Sequence, residues 1–492
     1  MIVLALLAAA AAPTLRVPPA LLQDTQVAGG GAQLVWLPGT TVMAEEQERE
    51  LVVRFDRPID DATIDAFRRA GGAAIGDLRW NDASLVLRPA IGWDMAWTQD
   101  GQVIAVDFAA HGDDIVVDAP TRPVDLDSRL LAIEADVAAG YPDQGRRAAE
   151  ALARSQPDDP RVGRILADAR GADGDVRGAA AAYRRIGATD PVARRALAFA
   201  PGTASIGTTL RSGGDLSQIE TAARVDAALG DRLTLGGGVR AVASRVDTGT
   251  ETQRHTDPIV DLTATVRISD ATRMQAVLAG ALDSGVTGGG IRLVAGSAEA
   301  QWRAGLLLHQ PDYSTVEQAI GGGYLSRITA GGSYRIAPGL VGQIDIGGNR
   351  YGLAGLDGAS DTLTLAGGLD YIVRRGGLAF GLTYRLEGEY VQRLGRAANG
   401  RVVVDLVDRE NHTLQGLVSG SMGEAQLTGL AGWTVDRFGG NGPSASLGLN
   451  LPVATAWRIE ASGGISSIAR PGFPGQQIYA RALLSRGLGS AR

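Results

Sequence analysis

Four histidines, His111, His255, His309 and His412, stand far apart in the chain. None belongs to an HExxH pair or to a Ser/His/Asp grouping that would build a metal centre or a triad. Cysteine is absent, which excludes disulfides, thiolate metal sites and cysteine nucleophiles together. The glycine clusters Gly236-Gly237-Gly238 and Gly321-Gly322-Gly323 follow no strand-to-helix phosphate motif. The expectation is therefore no enzyme, no cofactor and no metal. The chemistry that remains is carried by arginines and carboxylates alternating with apolar residues: Arg224, Asp226, Arg240, Asp261, Arg267, Arg273, Asp345, Asp370, Arg385, Glu387, Arg458 and Glu460. Such a set lines either a selective polar conduit or an interior braced by paired charges.

The elements that carry these residues have a period of two. Val260, Leu262, Ala264, Val266 and Ile268 interleave with Asp261, Thr263, Thr265, Arg267 and Ser269, and the stretches beginning at Leu363, Leu378 and Trp457 repeat the pattern. About sixteen strands are expected over residues 203–488, joined alternately by brief turns and long loops, which is the layout of a transmembrane antiparallel β-barrel. The longest loops are predicted over 246–257, 309–323 and 393–410. Charges facing lipid at mid-depth cost about 2–4 kcal/mol each, so the twelve charged residues are assigned to the lumen. Tyr334, Tyr371, Phe380, Trp433 and Trp457 fall at strand ends, as a membrane girdle requires. The register predicts that aspartate at Leu363 and Leu365 abolishes assembly and that Thr362→Ala and Thr364→Ala are silent. It also predicts that glutamate at Arg267 and Arg385 shifts ion selectivity.

The first 200 residues read differently. Residues 1–12, apolar and ending in alanines, form an expected signal peptide, the alternative being an apolar tail. Residues 13–32 read as a linker and 33–120 as a small α+β periplasmic domain, with a helix over 61–70 and a hairpin at Asp100-Gly101. Its tryptophans Trp36, Trp80, Trp93 and Trp97 are expected in the core rather than as stacking platforms for sugars. Over 126–193, Gly140, Gly145, Ala149, Leu152 and Pro157 recur 34 residues later as Gly174, Ala179, Tyr183, Ile186 and Pro191. A 34-residue helix-turn-helix period resembles two tetratricopeptide repeats. The expected class is thus multidomain α+β, with small domain, two helical repeats and barrel in that order.

The chain has 492 residues, 68 of them glycine, and a net charge of −7. All 47 basic residues are arginine, so no lysine-rich patch offers itself to nucleic acid. A mean hydropathy of +0.02 leaves the membrane question open, because barrel strands turn only alternate residues to lipid. Residues 486–492 lack the terminal aromatic common in such barrels, placing the assembly signal near Leu483-Leu484 or in another form.

Signal peptide, repeats and barrel in this order resemble the exopolysaccharide export porins. The run Gly207-Thr208-Thr209-Leu210-Arg211 to Leu216-Ser217-Gln218-Ile219 is similar to the G-x-x-x-R … G-L-S-x-L opening of the barrel of cellulose synthase operon protein C. The resemblance implies an outer-membrane pore that passes a polymer through its lumen, with the repeats docking a periplasmic partner. Surface lipoprotein assembly modifiers, which translocate protein, and nonspecific diffusion porins are the alternatives.

Overall fold

Alternating and β-branched sequence dominates the chain, and strands result. The computed structural model describes residues 22–489 except 29–30, 37–40, 48, 58, 60–63, 65–67, 69–71, 82, 101–102, 111–125, 139, 298, 338 and 375–377. The expected signal peptide lies outside the described residues, as does the expected helix over 61–70 apart from Ile64 and Arg68. Two units form, residues 1–173 and 174–492.

In the first unit, β1 (Leu22–Ala28), β2 (Gly31–Trp36), β8 (Val103–Ala110) and β7 (Trp93–Asp100) make one antiparallel sheet in the order β1-β2-β8-β7. A second sheet has the order β3-β4-β6-β5, from β3 (Val42–Gln47), β4 (Glu50–Phe55), β5 (Ile75–Asn81) and β6 (Ser84–Pro89). β1 occupies sequence read as linker. The hairpin forms as predicted, with Asp100 opposite Val103. Leu51, Val53, Phe55, Leu85, Leu87, Ile104 and Val106 build the core, and Trp80, Trp93 and Trp97 pack against it. Helices α1 (Leu126–Ala138), α2 (Pro142–Ser155) and α3 (Pro160–Ala172) complete this unit.

Arg79, 4% exposed, lies among Asp77 at 3.2 Å, Glu50 and Asp136 of α1. Burial pushes the Asp77 carboxyl above the ordinary carboxylate range, against the pull of Arg79. Removing one member of a buried ionic cluster costs about 3–5 kcal/mol, because the charges left behind are uncompensated. Arg79→Ala should therefore lower the thermal midpoint of the first unit while the barrel keeps its own unfolding transition. A single unshifted transition would refute this.

The expected α+β class with two tetratricopeptide repeats is overturned. The chain is mostly β: two four-stranded sheets and a sixteen-stranded barrel, with six helices among the described residues. The apolar faces that would stack repeat on repeat are used elsewhere. Leu131, Ala132 and Ala135 of α1 pack on Val52 and Val86 of the sheet. Helices α4 (Val176–Arg185) and α5 (Pro191–Phe199) belong to the barrel's unit. Of the repeat positions, Gly140 and Gly174 do share a left-handed turn (φ 84° and 80°), and Ala149, Ala179 and Tyr183 are buried. The prolines are not equivalent. Pro157 sits in a turn, where Pro160 begins the helix, whereas Pro191 itself starts α5.

Sixteen antiparallel strands, from β9 (Gly202–Gly213) to β24 (Gln477–Gly487), close a barrel in which β24 pairs with β9. Each strand pairs with the next in sequence. Loop lengths alternate as expected from β11 (Leu233–Asp247) onward, whereas the first hairpin turn, 214–215, is shorter than the 230–232 turn that follows it; the loop predicted over 246–257 shrinks to 248–251 because its flanks continue as strand. The others span 313–322 and 394–408, and 467–476 adds a long connection. Outward residues such as Leu262, Leu278, Ile344 and Leu447 are 53–62% exposed, an apolar belt that only lipid could cover over so many strands.

Candidate functional site: the barrel interior

The strand alternation that exposes Val225, Val239, Leu262, Leu369 and Trp457 turns their charged neighbours inward, where they meet partners within a strand or across the ladder. Arg224 contacts Asp226 at 2.6 Å, Arg240 contacts Asp261 at 3.0 Å, Arg385 contacts Asp370 at 2.7 Å and Arg458 contacts Glu460 at 3.1 Å. A Cβ at Gly236 would lie 2.1 Å from the Asp226 carboxylate and 2.2 Å from the Arg224 guanidinium, so glycine makes the room that this pair occupies. Asp345 pairs with Arg303, and Glu387 with Arg470 of the 467–476 loop at 3.2 Å; neither arginine was singled out in the sequence. Arg267 reaches Asp175 at 3.0 Å. Arg273, its cross-strand neighbour, is exposed and forms no ion pair among the described residues. Eleven of the twelve charges thus sit in separate pairs, Arg273 being the exception, and no continuous ladder forms among the described residues.

The half of the interior nearest the long loops is not polar throughout. Leu216, Val242, Val246, Ile259, Leu325 and Leu353 share the inward face, yet each is at most 9% exposed, because loops fold in over them. The 313–322 connection carries α6 (Val316–Gly321), capped by Thr315, whose hydroxyl accepts from the Gln318 amide. Val316, Ala319 and Ile320 pack with Leu216, Val246 and Phe473. Tyr313 donates to Asp257 at 2.5 Å, and the same fully buried carboxylate accepts the Asp283 and Ser284 amides at 3.0 and 3.2 Å. Gln218 donates to the Tyr313 carbonyl at 2.6 Å, and Gln318 to the Gly352 carbonyl at 3.3 Å. From the 394–408 loop, Val403, Val404 and Leu406 cover Leu325, Tyr351 and Leu353.

Below these loops lies a cavity of about 670 Å³. Glu389 anchors one wall, accepting from Thr362 at 2.6 Å, Tyr351 at 2.7 Å and Asn349 at 3.1 Å, and pairing with Arg409. Thr362 therefore faces inward as the register demanded, and its hydroxyl is tied into a buried hydrogen bond, which changes the outcome expected of Thr362→Ala. Arg327 donates to the side-chain Oδ1 of Asn349 at 2.8 Å. Gln343, Thr329, Thr364, Asn411 and Gln477 add amides and hydroxyls.

At the opposite rim, Asp175 caps α4, accepting from the Gly178 amide, while also holding Arg267. Arg177 donates to the carbonyls of Gly230 and Leu233 at the β10–β11 turn, which joins β10 (Leu216–Leu229) to β11 (Leu233–Asp247). Burial, with Arg267 nearby, lowers the Arg177 pKa from its ordinary value. On α5, Arg195 pairs with Glu424 at 3.1 Å, in the turn between β20 (Arg409–Met422) and β21 (Ala425–Asp436). Going round the barrel, six strands separate these two turns one way and ten the other. Sixteen strands at about 4.8 Å spacing and about 40° tilt give a diameter of roughly 32 Å. The helix pair therefore reaches between nearly opposite points of the short-turn rim.

No protein-family model matches the chain, and no curated protein matches it. Among solved structures, a bacterial polysaccharide outer membrane secretin is similar at 10% identity, over 58% of this chain and 98% of its own, with a TM-score of 0.45. The CymD monoaromatic hydrocarbon channel is similar at 14% identity over 61% and 92%, with a TM-score of 0.34. An anion-selective porin from Comamonas acidovorans is similar at 11% identity over 58% and 97%, with a TM-score of 0.29. At such scores these likenesses carry no weight for function. The porin-like barrel fold of this chain stands on its own closed ladder and apolar outer belt.

Proposed function

We propose that the chain is an outer-membrane pore that exports a linear polymer, an exopolysaccharide by preference, with the segment before residue 202 on the periplasmic side and docking a protein of the synthesis or export machinery. The observation that carries this reading is the cavity: about 670 Å³, walled by amides, hydroxyls and paired charges, and narrowed by three infolded loops. Pockets of 300–1,000 Å³ hold a ligand, whereas a diffusion pore of this strand number keeps an open channel. Hydrogen-bonding groups without a dominant cation suit a hydroxyl-rich chain.

The full chain in a planar bilayer tests this. A neutral linear polysaccharide added on the short-turn side should interrupt the current in resolved blockades, and an unfolded polypeptide of similar length should not. The reverse result would favour protein translocation and overturn the proposal. In the same recordings, Arg385→Glu replaces the cation that pairs diagonally with Asp370 by a second carboxylate and should shift selectivity toward cations at low salt. The shift should fade near 1 M salt, where the Debye length is about 3 Å. Arg385 is preferred to Arg267 here, because replacing Arg267 would also release Asp175 of the helix pair.

A further inference from the structure

The outer wall beside the first hairpin has a furrow of about 510 Å³. It crosses β24, β9, β10, β11 and the start of β12 (Thr252–Ser269), at Arg254 and Thr256. Ladder register places Ile478, Ser212, Ser217, Arg245 and Arg254 on one rung at the long-loop end. The next outward rung toward mid-barrel reads Ala480, Leu210, Ile219 and Ala243. Leu210, Ile219 and Ile478 are exposed, which fixes this face as the lipid side.

Two features of the upper rung are unusual for a lipid-facing wall. Arg245 and Arg254 are direct cross-strand partners, an arrangement that repels unless an anion intervenes. Asp247 is the one carboxylate paired with them among the described residues; it meets Arg245 at 3.2 Å with both groups about half exposed, and Arg254 is exposed without an ion pair. Two guanidinium forks beside the paired hydroxyls of Ser212 and Ser217, 2.8 Å apart, match the oxygens of a phosphate. The apolar furrow beneath leads away from them toward the middle of the membrane.

We propose that this furrow binds one phosphorylated glycolipid of the outer leaflet, its phosphate between Arg245 and Arg254 and an acyl chain along Leu210 and Ile219. The choice of leaflet rests on reading the long-loop rim as the outer one; binding itself is independent of any export activity. The test is native mass spectrometry of the full chain in detergent, titrated with purified lipid A, phosphatidylglycerol or phosphatidylethanolamine. Lipid A should give one retained adduct per barrel, favoured at least tenfold over phosphatidylglycerol. Arg245→Ser with Arg254→Ser should reduce that adduct at least tenfold, and Ala243→Phe, which fills the furrow and keeps both arginines, should also reduce it. Heat-modifiable migration on gels confirms that each variant is folded. Undiminished retention by the folded double variant, or equal retention of phosphatidylglycerol, overturns the proposal. A pore that conducts and blocks as expected but retains no lipid A overturns this site and leaves the export reading standing.

Discussion

Replacing Leu363 and Leu365 together with aspartate is expected to abolish the heat-modifiable barrel, while Thr364→Ala leaves it intact. Both leucines lie on the lipid side of β18 (Ser360–Arg374), where the register pairs Leu363 with Tyr390 and Leu365 with Gly388. A charged side chain on that face costs up to about 2–4 kcal/mol at mid-depth. Two such costs are of the same order as the 5–15 kcal/mol that separates a folded domain from its unfolded chain. Thr362→Ala is expected to weaken the barrel measurably, because it removes a donor from the buried Glu389 carboxylate. The comparison is read from gel migration of unheated and heated samples. Equal tolerance of the leucine and Thr364 substitutions would show that the two faces of β18 are exchanged.

Conductance should rise several-fold in Asp257→Ala. Asp257 holds the 313–322 connection through the Tyr313 hydroxyl and holds the neighbouring 282–286 connection through two amides. Hydrogen bonds to a charged acceptor contribute about 1.5–3 kcal/mol each, so losing all three shifts the docked state by several kcal/mol. Tyr313→Phe removes one of them and should increase the undocked fraction about tenfold, at roughly 1.4 kcal/mol per factor of ten. Single-channel recordings should show brief openings in Tyr313→Phe and a larger steady conductance in Asp257→Ala. An unaltered conductance in both folded variants would mean that this connection does not limit the passage.

The barrel was legible because period-two alternation and loop length are local properties. Asp261 and Arg267 could be assigned inward from their neighbours alone. The infolded loops were not legible, since around Val242 and Ile259 both faces of the strand are apolar and alternation loses its contrast. A signal was nevertheless present: Val242, Val246 and Ile259 share a face with Arg240 and Asp261, and apolar residues on a polar wall imply a cover. The partners of the charges were equally hidden. Arg303 and Arg470 are distant in sequence from Asp345 and Glu387, and spacing carries no information about such contacts. The 34-residue spacing reported small buried residues but not what each helix packs against, and that is why it misled about the fold class.

On the proposed export reading, the helix pair at one rim and the folded loops at the other would act on the lumen as the two doors of an airlock. A minor state of a two-state element is commonly populated at 0.1–10%. If each end opened independently in about one molecule in a hundred, both would stand open together in roughly one in ten thousand. A long chain can hold the second door ajar while it is still passing the first, whereas a small toxic solute must wait for a coincidence. A wide barrel could in this way sit in a permeability barrier without breaching it.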